Sequence, residues 1–269
     1  MNKKSLISLL CIGLSCIGLS ACTKVIDLNV HNSAPVYVIE GNVTDQPGPY
    51  QVKISNTVGF YAGNQYPGVP GAAVTIADGA GHTDHLTDHG DGIYSTVALQ
   101  GVSGQTYTLQ VVIGKDTFAA VSSMPARVNL DSVVIQPVLN GGKTVLVAVP
   151  EFVNPQGPGV AYYFFDQTID GYLDQSLYYW TSQFSAGLEN NFNLERASND
   201  STLHVGDTVQ VEMQCLDQPM YNYWSGVDQS ASGSAQANPG NPTTNLTGGA
   251  LGYFSAHTSQ VKGARVAQR

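Results

Sequence analysis

Cysteine is scarce in this sequence and unevenly placed. Only four of the 269 residues are cysteine, and three of them, Cys11, Cys16 and Cys22, lie near the start of the chain. Cys215 stands alone beyond them, so no disulfide can form within the rest of the chain. It ends the alternating segment Val209–Cys215, where it shares a face with apolar residues. This pattern favours a buried structural thiol over a nucleophile.

Basic residues are also few. The sequence has 11 lysine and arginine residues against 20 aspartate and glutamate residues. If Lys3 and Lys4 are removed with a leader, nine basic residues remain and the net charge is about −11. Nucleic-acid binding requires clustered lysine and arginine, so we expect no nucleic-acid partner.

The motifs of common enzyme classes are absent. The sequence contains no Gly-x-Ser-x-Gly, no His-Glu-x-x-His and no Gly-x-x-x-x-Gly-Lys-Ser/Thr. It also lacks a Gly-x-Gly-x-x-Gly between a strand and a helix. The carboxylates are scattered, so no acid/base pair stands out. We therefore expect a protein that is not an enzyme and that needs no cofactor.

The first segment of the chain is typical of an exported protein. A short basic region precedes the apolar run Ser5–Leu19, which is shorter than the roughly 20 residues that a membrane-spanning helix needs. Leu19–Cys22 then resembles a bacterial lipobox, in which small residues precede a cysteine whose thiol receives diacylglycerol. We expect residues 1–21 to be a lipoprotein signal peptide and Cys22 to be lipidated, which anchors the protein to a membrane. An ordinary secreted protein is the alternative.

Most of the remaining chain alternates apolar and polar residues with a period of two. The alternating segments are short and are bounded by Gly, Pro, Asn and Asp, at a spacing typical of a β-sandwich. Two of them are Tyr50–Ser55 and Thr106–Ile113. Their inward-facing residues are predicted to be Tyr50, Val52, Ile54, Tyr107, Leu109, Val111 and Ile113.

The sequence predicts an all-β protein with two domains. Met124–Arg127 is a predicted linker, so a β-sandwich domain is expected over 22–125 and a second β-rich, sandwich-like domain over 128–269. In the second domain, Asn140–Lys143 is the turn of a predicted hairpin. Pro219–Ser232 is the one predicted helix, because its apolar residues recur at helical spacing.

A cluster of histidine and aspartate lies in Gly81–Gly92, GHTDHLTDHGDG. His82, His85 and His89 are candidate metal ligands. In an extended strand, however, only two of the three share a face, and those two lie roughly 13 Å apart. We favour two polar turns around a short strand, because glycine accepts positive φ and aspartate caps its own backbone. A metal site and a catalytic role stay as alternatives.

An aromatic run is a candidate ligand-binding platform. Its members are Tyr172, Tyr178, Tyr179, Trp180 and Phe184. Packing in the core is the favoured alternative, because large aromatic residues commonly fill the interior of β-sandwiches.

Several segments, taken in order, resemble a bacterial lipoprotein family known as domain of unknown function 4249. The resemblance begins at Cys22–Leu28 and ends at Asn245–Ser255, whose Asn-x-x-Gly-Gly and Gly-x-Phe elements are similar to the end of the family pattern. The segments between them are Val38–Asp45, Gly48–Ser55, Gly71–Asp78, Gly92–Tyr94 and Gly104–Leu109.

The resemblance implies a cellular location, an N-terminal fold and a genetic context that the residues alone do not. Members of this Bacteroidota family are outer-membrane lipoproteins with an immunoglobulin-like N-terminal sandwich, often encoded near TonB-dependent outer-membrane transporters. The family supplies no catalytic residues. Thr23–Asp27 is a poor version of the acidic signal that directs such lipoproteins to the cell surface, so the periplasmic and the surface-facing leaflets both stay open.

Three hypotheses for function follow. The leading one is a non-enzymatic accessory lipoprotein that assists a TonB-dependent transporter or binds its ligand. The second is a carbohydrate- or peptide-binding lipoprotein that acts alone through the aromatic run. The third is a metal-dependent hydrolase that uses the histidine cluster.

Overall fold

Fifteen strands and one helix make up the described part of the chain. The computed structural model describes residues 34–59, 62–63, 65–190, 192–196, 202–231 and 240–268. The period-two alternation predicts this predominance of strands, and the all-β, sandwich-like fold class is confirmed. The predicted signal peptide and the lipidation site at Cys22 lie outside the described residues.

The N-terminal part is a sandwich of two sheets. One sheet has the order β5-β6-β2-β1-β15, and the other has the order β4-β3-β7-β8. The strands are β1 Tyr37–Thr44, β2 Gln51–Asn56, β3 Ala73–Asp78, β4 Thr83–His85, β5 Thr87–Asp88, β6 Ile93–Ser95, β7 Thr106–Ile113, β8 Asp116–Ser123 and β15 Leu251–Arg265. The paired strands are antiparallel except β1 and β15, which are parallel.

The core of this sandwich contains the residues that the alternation predicts to face inward. Val52 and Ile54 of β2 are fully buried, and so are Tyr107, Leu109 and Val111 of β7. Full burial of one large apolar side chain stabilises the fold by about 1.5–3 kcal/mol. The alternation of these short strands therefore defines the first core.

Strand β15 belongs to both parts of the molecule. Residues 251–257 pair with β1 of the first sandwich, and residues 258–265 pair with β14 of the second part. Leu246, Ala250, Phe254 and Ala256 lie in the first core, although they fall within the predicted domain 128–269. The division into two sequence-continuous domains stays a prediction, and β15 joins the two parts through one continuous backbone.

The second part has a sheet of order β12-β11-β14-β15, with β13 also paired to β11. A separate hairpin of β9 and β10 turns at Asn140–Lys143, as predicted. The strands are β9 Ser132–Asn140, β10 Lys143–Glu151, β11 Tyr162–Ile169, β12 Tyr172–Leu173, β13 Tyr178–Thr181 and β14 Thr208–Leu216. A second core lies on one face of the sheet and includes Phe152, Tyr163, Phe165, Val211 and Met213.

The helix α1 covers Gln218–Ala231, close to its predicted range. Asp217 precedes it, and its Oδ1 accepts the backbone N–H of Met220 at 3.1 Å, which caps the first turn. Met220 is fully buried against Phe164 and Leu216. Within the described residues, no helix combines the length and the apolar character needed to cross a bilayer.

Strand alternation gives the joined sheet two different faces. Phe254 and Ala256 of β15 point into the first core, and Met213 of β14 points into the second. Their neighbours in the chain, such as Ser255 and Gln214, point to the opposite face. That face is covered in part by α1 and leaves the candidate site beside the helix.

Candidate functional site

A cleft of about 400 Å³ opens on the face of the joined sheet that carries α1. Its floor comes from β1, β11, β14 and β15, and its walls come from the segment after β12 and from the helix. The described residues that line it are Asn42, Phe164, Asp166, Leu173, Asp174, Gln175, Ser176, Leu177, Gln214, Trp224, Tyr253, Ser255 and His257. This volume is in the range of small-molecule sites.

Polar side chains from four strands form the floor. Gln214 donates from Nε2 to Asp166 Oδ2 at 3.1 Å. Asn42 donates from Nδ2 to the Tyr253 hydroxyl at 3.4 Å, a weak hydrogen bond by its length. Because these strands are paired, the side chains are held by the sheet and not by a loop.

The environment of Asp166 disfavours the ionised form of its carboxyl group. Burial raises its pKa to about 6, and the like charge of Glu212 adds to the rise. Glu212 itself accepts a hydrogen bond from the Ser259 hydroxyl at 2.6 Å. Among the described residues, no lysine or arginine forms an ion pair with Asp166. Within the described part of the chain, the carboxylate of Asp166 accepts one hydrogen bond, from Gln214.

His257 is the most enclosed ionisable residue of the floor, with 5% of its surface exposed. Its Nδ1 lies 2.9 Å from the Ser255 hydroxyl. Burial lowers its pKa to about 4, although the charge of Asp45 acts in the opposite direction. The imidazole is therefore neutral near pH 7, and a neutral imidazole has one donor and one acceptor nitrogen.

Aromatic rings form the wall on the helix side. Trp224 stacks on Phe164 with the ring centroids 4.5 Å apart, and it lies 5.6 Å from the ring of Tyr253. Tyr223 contacts Tyr253 at 5.1 Å, and burial raises the pKa of Tyr223 to about 12. These contacts fix the orientation of Trp224 beside the floor.

Asp174 organises the opposite wall. It accepts hydrogen bonds from the Tyr178 hydroxyl at 2.8 Å, from Gln167 Nε2 at 3.2 Å and from the backbone N–H of Ser176 at 3.2 Å. Arg196 Nε lies 3.7 Å from its Oδ2. Asp174 is thus satisfied by protein groups, which makes it a structural carboxylate, in contrast to Asp166.

The charge of the cleft has one sign. Asp166 and Asp174 are the charged groups that line it, and no described lysine or arginine does so. An anionic ligand would meet repulsion there without a compensating donor of positive charge. The arrangement suits a neutral or cationic ligand with an apolar part.

The five aromatic residues predicted as a platform do not share one surface. Tyr172 and Phe184 are 81% and 91% exposed. Tyr178 is buried in the second core, and Trp180 packs at its border, stacked on Phe192 at 4.9 Å. Tyr179 points to the other face of β13 and donates its hydroxyl to Asp228. Only Tyr179 of the five joins the aromatic cluster beside α1.

The main residues of the cleft are different from those predicted. Asp166, Trp224, Tyr253 and His257 come from three segments far apart in the sequence. The available signal was the alternation over 253–257, where Tyr253, Ser255 and His257 occupy one face of a strand and the apolar Phe254 and Ala256 occupy the other. The register that places this face beside Asp166 is a long-range property.

The three histidines of the predicted cluster are engaged separately. His82 Nδ1 lies 3.0 Å from Asp78 Oδ2, and His89 Nε2 lies 2.7 Å from the Ser95 hydroxyl. His85 is exposed on β4. Among the described residues, no group of three or more His, Cys, Asp or Glu side chains is arranged to hold a metal ion. The metal hypothesis therefore has no geometric support in this part of the chain.

The turn interpretation of this cluster is confirmed. Asp78 Oδ1 accepts the backbone N–H groups of Ala80 and His82, both at 2.9 Å. The pKa of Asp78 is lowered, chiefly by its side-chain hydrogen bond with His82. The second turn has Gly90 and Gly92 at positive φ. The aspartate therefore accepts backbone N–H groups and the glycines adopt positive φ, as expected for these residues in turns.

Cys215 is a free thiol with 2% of its surface exposed. Burial is the largest effect on it and raises its pKa. A protonated, enclosed thiol is a poor nucleophile. The structure places it in the second core, as the sequence predicts.

The architecture and the site define a class of protein. It is an all-β protein in which a shared strand joins two sandwich-like parts, with a one-sided aromatic and acidic cleft on that strand. The family described as Domain of unknown function (DUF4249) matches residues 23–262. The chain belongs to this family. Comparison with curated proteins gives no significant match.

Proposed function

We propose that this protein is a lipid-anchored, non-enzymatic binding protein of the bacterial outer membrane that holds a small ligand in the cleft. The observation that carries the proposal is a single cleft on a floor of paired strands that is lined by the enclosed His257, the carboxylate of Asp166 and an aromatic wall. Polar side chains that converge in a concave site with apolar walls are typical of ligand-binding sites.

Two features support binding over catalysis. Ser255 and His257 are hydrogen-bonded, but Ser255 is only 2% exposed, so its hydroxyl has little access to a substrate carbonyl. The low pKa of His257, about 4, makes the imidazole a weak proton acceptor near neutral pH. The pair is therefore suited to hydrogen bonding and poorly suited to activating a nucleophile.

The cellular setting of the proposal rests on the sequence. The lipobox-like Leu19–Cys22 supports an anchor at Cys22, and the family resemblance supports an accessory role beside a TonB-dependent transporter. A stand-alone carbohydrate- or peptide-binding role would use the same cleft without a transporter. Affinity purification from solubilised outer membrane distinguishes the two, because only the accessory role requires a transporter to co-purify.

Cys22→Ser tests the anchor. The wild-type protein should appear in the membrane fraction, with an acylated N-terminus by mass spectrometry. The variant should lose the acyl groups and leave the membrane fraction. An unmodified wild-type protein in the soluble fraction would contradict lipid anchoring. It would not affect the binding proposal, which is tested separately.

The two tryptophans allow a direct test of binding. Trp224 lines the cleft, and Trp180 packs on Phe192 away from it. In the Trp180→Phe variant, fluorescence reports on Trp224 alone, and a bound ligand should change its emission in a saturable way. In the Trp224→Phe variant, the same ligand should leave the emission of Trp180 unchanged. If no compound from a broad panel of sugars, peptides and amines changes Trp224 emission, the proposal fails.

A further inference from the structure

We propose that the ligand of this cleft carries an ammonium or guanidinium group for which Asp166 is the counter-ion. The inference rests on the proposed binding function and names the chemical class of the ligand. It depends on three independent features of the cleft: the lack of a positively charged partner for Asp166 among the described residues, the enclosed imidazole of His257 and the aromatic wall.

Asp166 is half-buried and has no positively charged partner among the described residues. An ionised carboxylate offers about four lone-pair sites, and among the described residues Asp166 receives one hydrogen bond, from Gln214. Its charged neighbour, Glu212, has the same sign. Removing a carboxylate from water is unfavourable unless it is paired, so a cation that enters the cleft would supply a charge partner that the described residues do not provide.

Asp174 provides the contrast within the same cleft. This carboxylate accepts four hydrogen bonds from protein groups and has Arg196 nearby. Two acidic residues thus line one cavity, and within the described residues Asp174 has a basic side chain nearby whereas Asp166 has one hydrogen bond and no basic neighbour. The difference assigns the role of counter-ion to Asp166.

The imidazole of His257 is a separate argument for a ligand in the cleft. Its ring is 95% enclosed, lines the cleft and uses Nδ1 for Ser255. No hydrogen-bond partner of Nε2 is recorded among the described residues. A neutral imidazole can accept a hydrogen bond from an amine or donate one to a hydroxyl of the same ligand. His257 is therefore a second polar group on the cleft floor, besides Asp166, that can hydrogen-bond to the ligand.

The aromatic wall favours a cation as well. Tryptophan and tyrosine faces attract ammonium and guanidinium groups, with about 0.5–2 kcal/mol gained depending on desolvation. Trp224 and Tyr253 form this wall. Their rings also present apolar surface that the carbon skeleton of an organic amine can contact. A bare metal ion would gain little from such a wall. The favoured ligand is therefore an organic cation such as an alkyl amine, a basic side chain or an amino sugar.

Three matched sets of probes test the charge requirement. Cadaverine is compared with 1,5-pentanediol and glutarate, agmatine with its neutral amide analogue, and glucosamine with glucose. Isothermal titration near pH 7 measures affinity, and Trp224 emission in the Trp180→Phe background reports on occupancy of the cleft. At least one cationic probe should bind about tenfold or more tightly than its neutral partner, and glutarate should not bind.

Asp166→Asn is the decisive variant. It keeps the shape of the side chain and an oxygen acceptor for Gln214, and it removes the charge. Affinity for the cationic probe should fall about tenfold or more, and affinity for the neutral partner should fall much less. Asp116→Asn, which alters an exposed carboxylate at the start of β8, is the matched control and should change neither affinity.

The outcomes separate this inference from the proposed function. If a neutral probe changes Trp224 emission as strongly as its cationic partner, or if Asp166→Asn binds the cation as well as the wild type, the counter-ion role is wrong while binding in the cleft stands. If the cationic probes do not bind but other compounds do, the inference is likewise wrong. If nothing in the wider panel binds, the proposed function itself fails.

Discussion

The carboxylate of Asp217 accepts a hydrogen bond of 2.7 Å from the hydroxyl of Ser122, which is almost fully buried. The same hydroxyl accepts the backbone N–H of Ala256 at 2.9 Å. The other oxygen of Asp217 caps α1 through Met220. One side chain thus connects the start of the helix to β8 and, through Ser122, to β15, and it holds the helical wall of the cleft against the first sandwich.

Replacement of Asp217 by alanine should destabilise the fold markedly. The change removes a helix cap, worth about 1 kcal/mol, and leaves the buried Ser122 hydroxyl without its acceptor, which costs a further 1–3 kcal/mol or so. We expect a total loss of about 2–4 kcal/mol in the free energy of unfolding, measured by urea denaturation. Asp116→Ala at an exposed position should change it by less than about 0.5 kcal/mol. Equal effects of the two substitutions would contradict the linking role of Asp217.

Two glycines of the histidine-rich segment should respond differently to alanine. Gly92 has φ of +76°, and a Cβ there would lie 2.1 Å from the carbonyl oxygen of Ile54. Gly81 has φ of +93°, but a Cβ there meets nothing within 4 Å. Gly81→Ala should therefore cost about 1–2 kcal/mol of backbone strain. Gly92→Ala should cost clearly more, about 3 kcal/mol or above, because the backbone must also move.

Thermal and urea unfolding of the two glycine variants measure this difference. Gly81→Ala is the matched control, because it shares the positive φ and lacks the steric conflict. Similar losses for both variants would mean that the close approach of Gly92 to β2 does not constrain the turn. The comparison also tests the turn interpretation of the whole histidine-rich segment without reference to metal.

Local features of the fold could be predicted from the sequence because they depend on neighbouring residues. The alternation in β2 and β7 predicts the buried residues Val52, Ile54 and Leu109, and glycine at Asn140–Lys143 predicts a hairpin. The helix follows from a proline in its first turn and from the spacing of Met220 and Trp224. In each case, the pattern and its physical cause lie within a few residues of chain.

The cleft could not be predicted because it depends on which strands pair. Tyr178 and Tyr179 are adjacent in the sequence, and for that reason they point to opposite faces of β13 and cannot form one platform. Asp166 and His257 line the same cleft because β14 lies between β11 and β15 and pairs with both. A single sequence contains no signal for that order, since period-two alternation is the same for every partner.

Asp166→Asn should stabilise the ligand-free protein above neutral pH. The pKa of Asp166 is raised to about 6 from an ordinary 3.8, so the folded state favours the protonated form. Stability from this group is present below about pH 4 and is lost as the pH rises through 6. A shift of this size corresponds to about 3 kcal/mol, and water on the open side of the cleft reduces the expected gain to roughly 1–2 kcal/mol.

Urea denaturation of Asp166→Asn at pH 7.5 and at pH 4 measures this effect. The gain should be present at the higher pH and nearly absent at the lower one, because wild-type Asp166 is then largely protonated. Asp116→Asn should show no such gain at either pH. A variant that is less stable than the wild type at pH 7.5 would mean that Asp166 is already compensated within the protein, and it would weaken its assignment as counter-ion.

His257→Gln should have the opposite pH dependence. The pKa of His257 is lowered from 6.5 to about 4 by burial, so the folded state favours the neutral ring. Stability from this group is fully present above pH 6.5 and is lost as the pH falls towards 4, by roughly 3 kcal/mol. Glutamine does not titrate, so the variant should start less stable at pH 7.5 because of altered packing, and it should lose less stability on acidification than the wild type.

Between pH 4 and 6, Asp166 and His257 contribute to the pH dependence of stability with opposite signs. Asp166→Asn should therefore steepen the loss of stability on acidification, and His257→Gln should make it shallower. Unfolding free energies of both variants across this range measure the two slopes. Parallel curves for the wild type and His257→Gln would mean that the imidazole is hydrated and open in the ligand-free cleft.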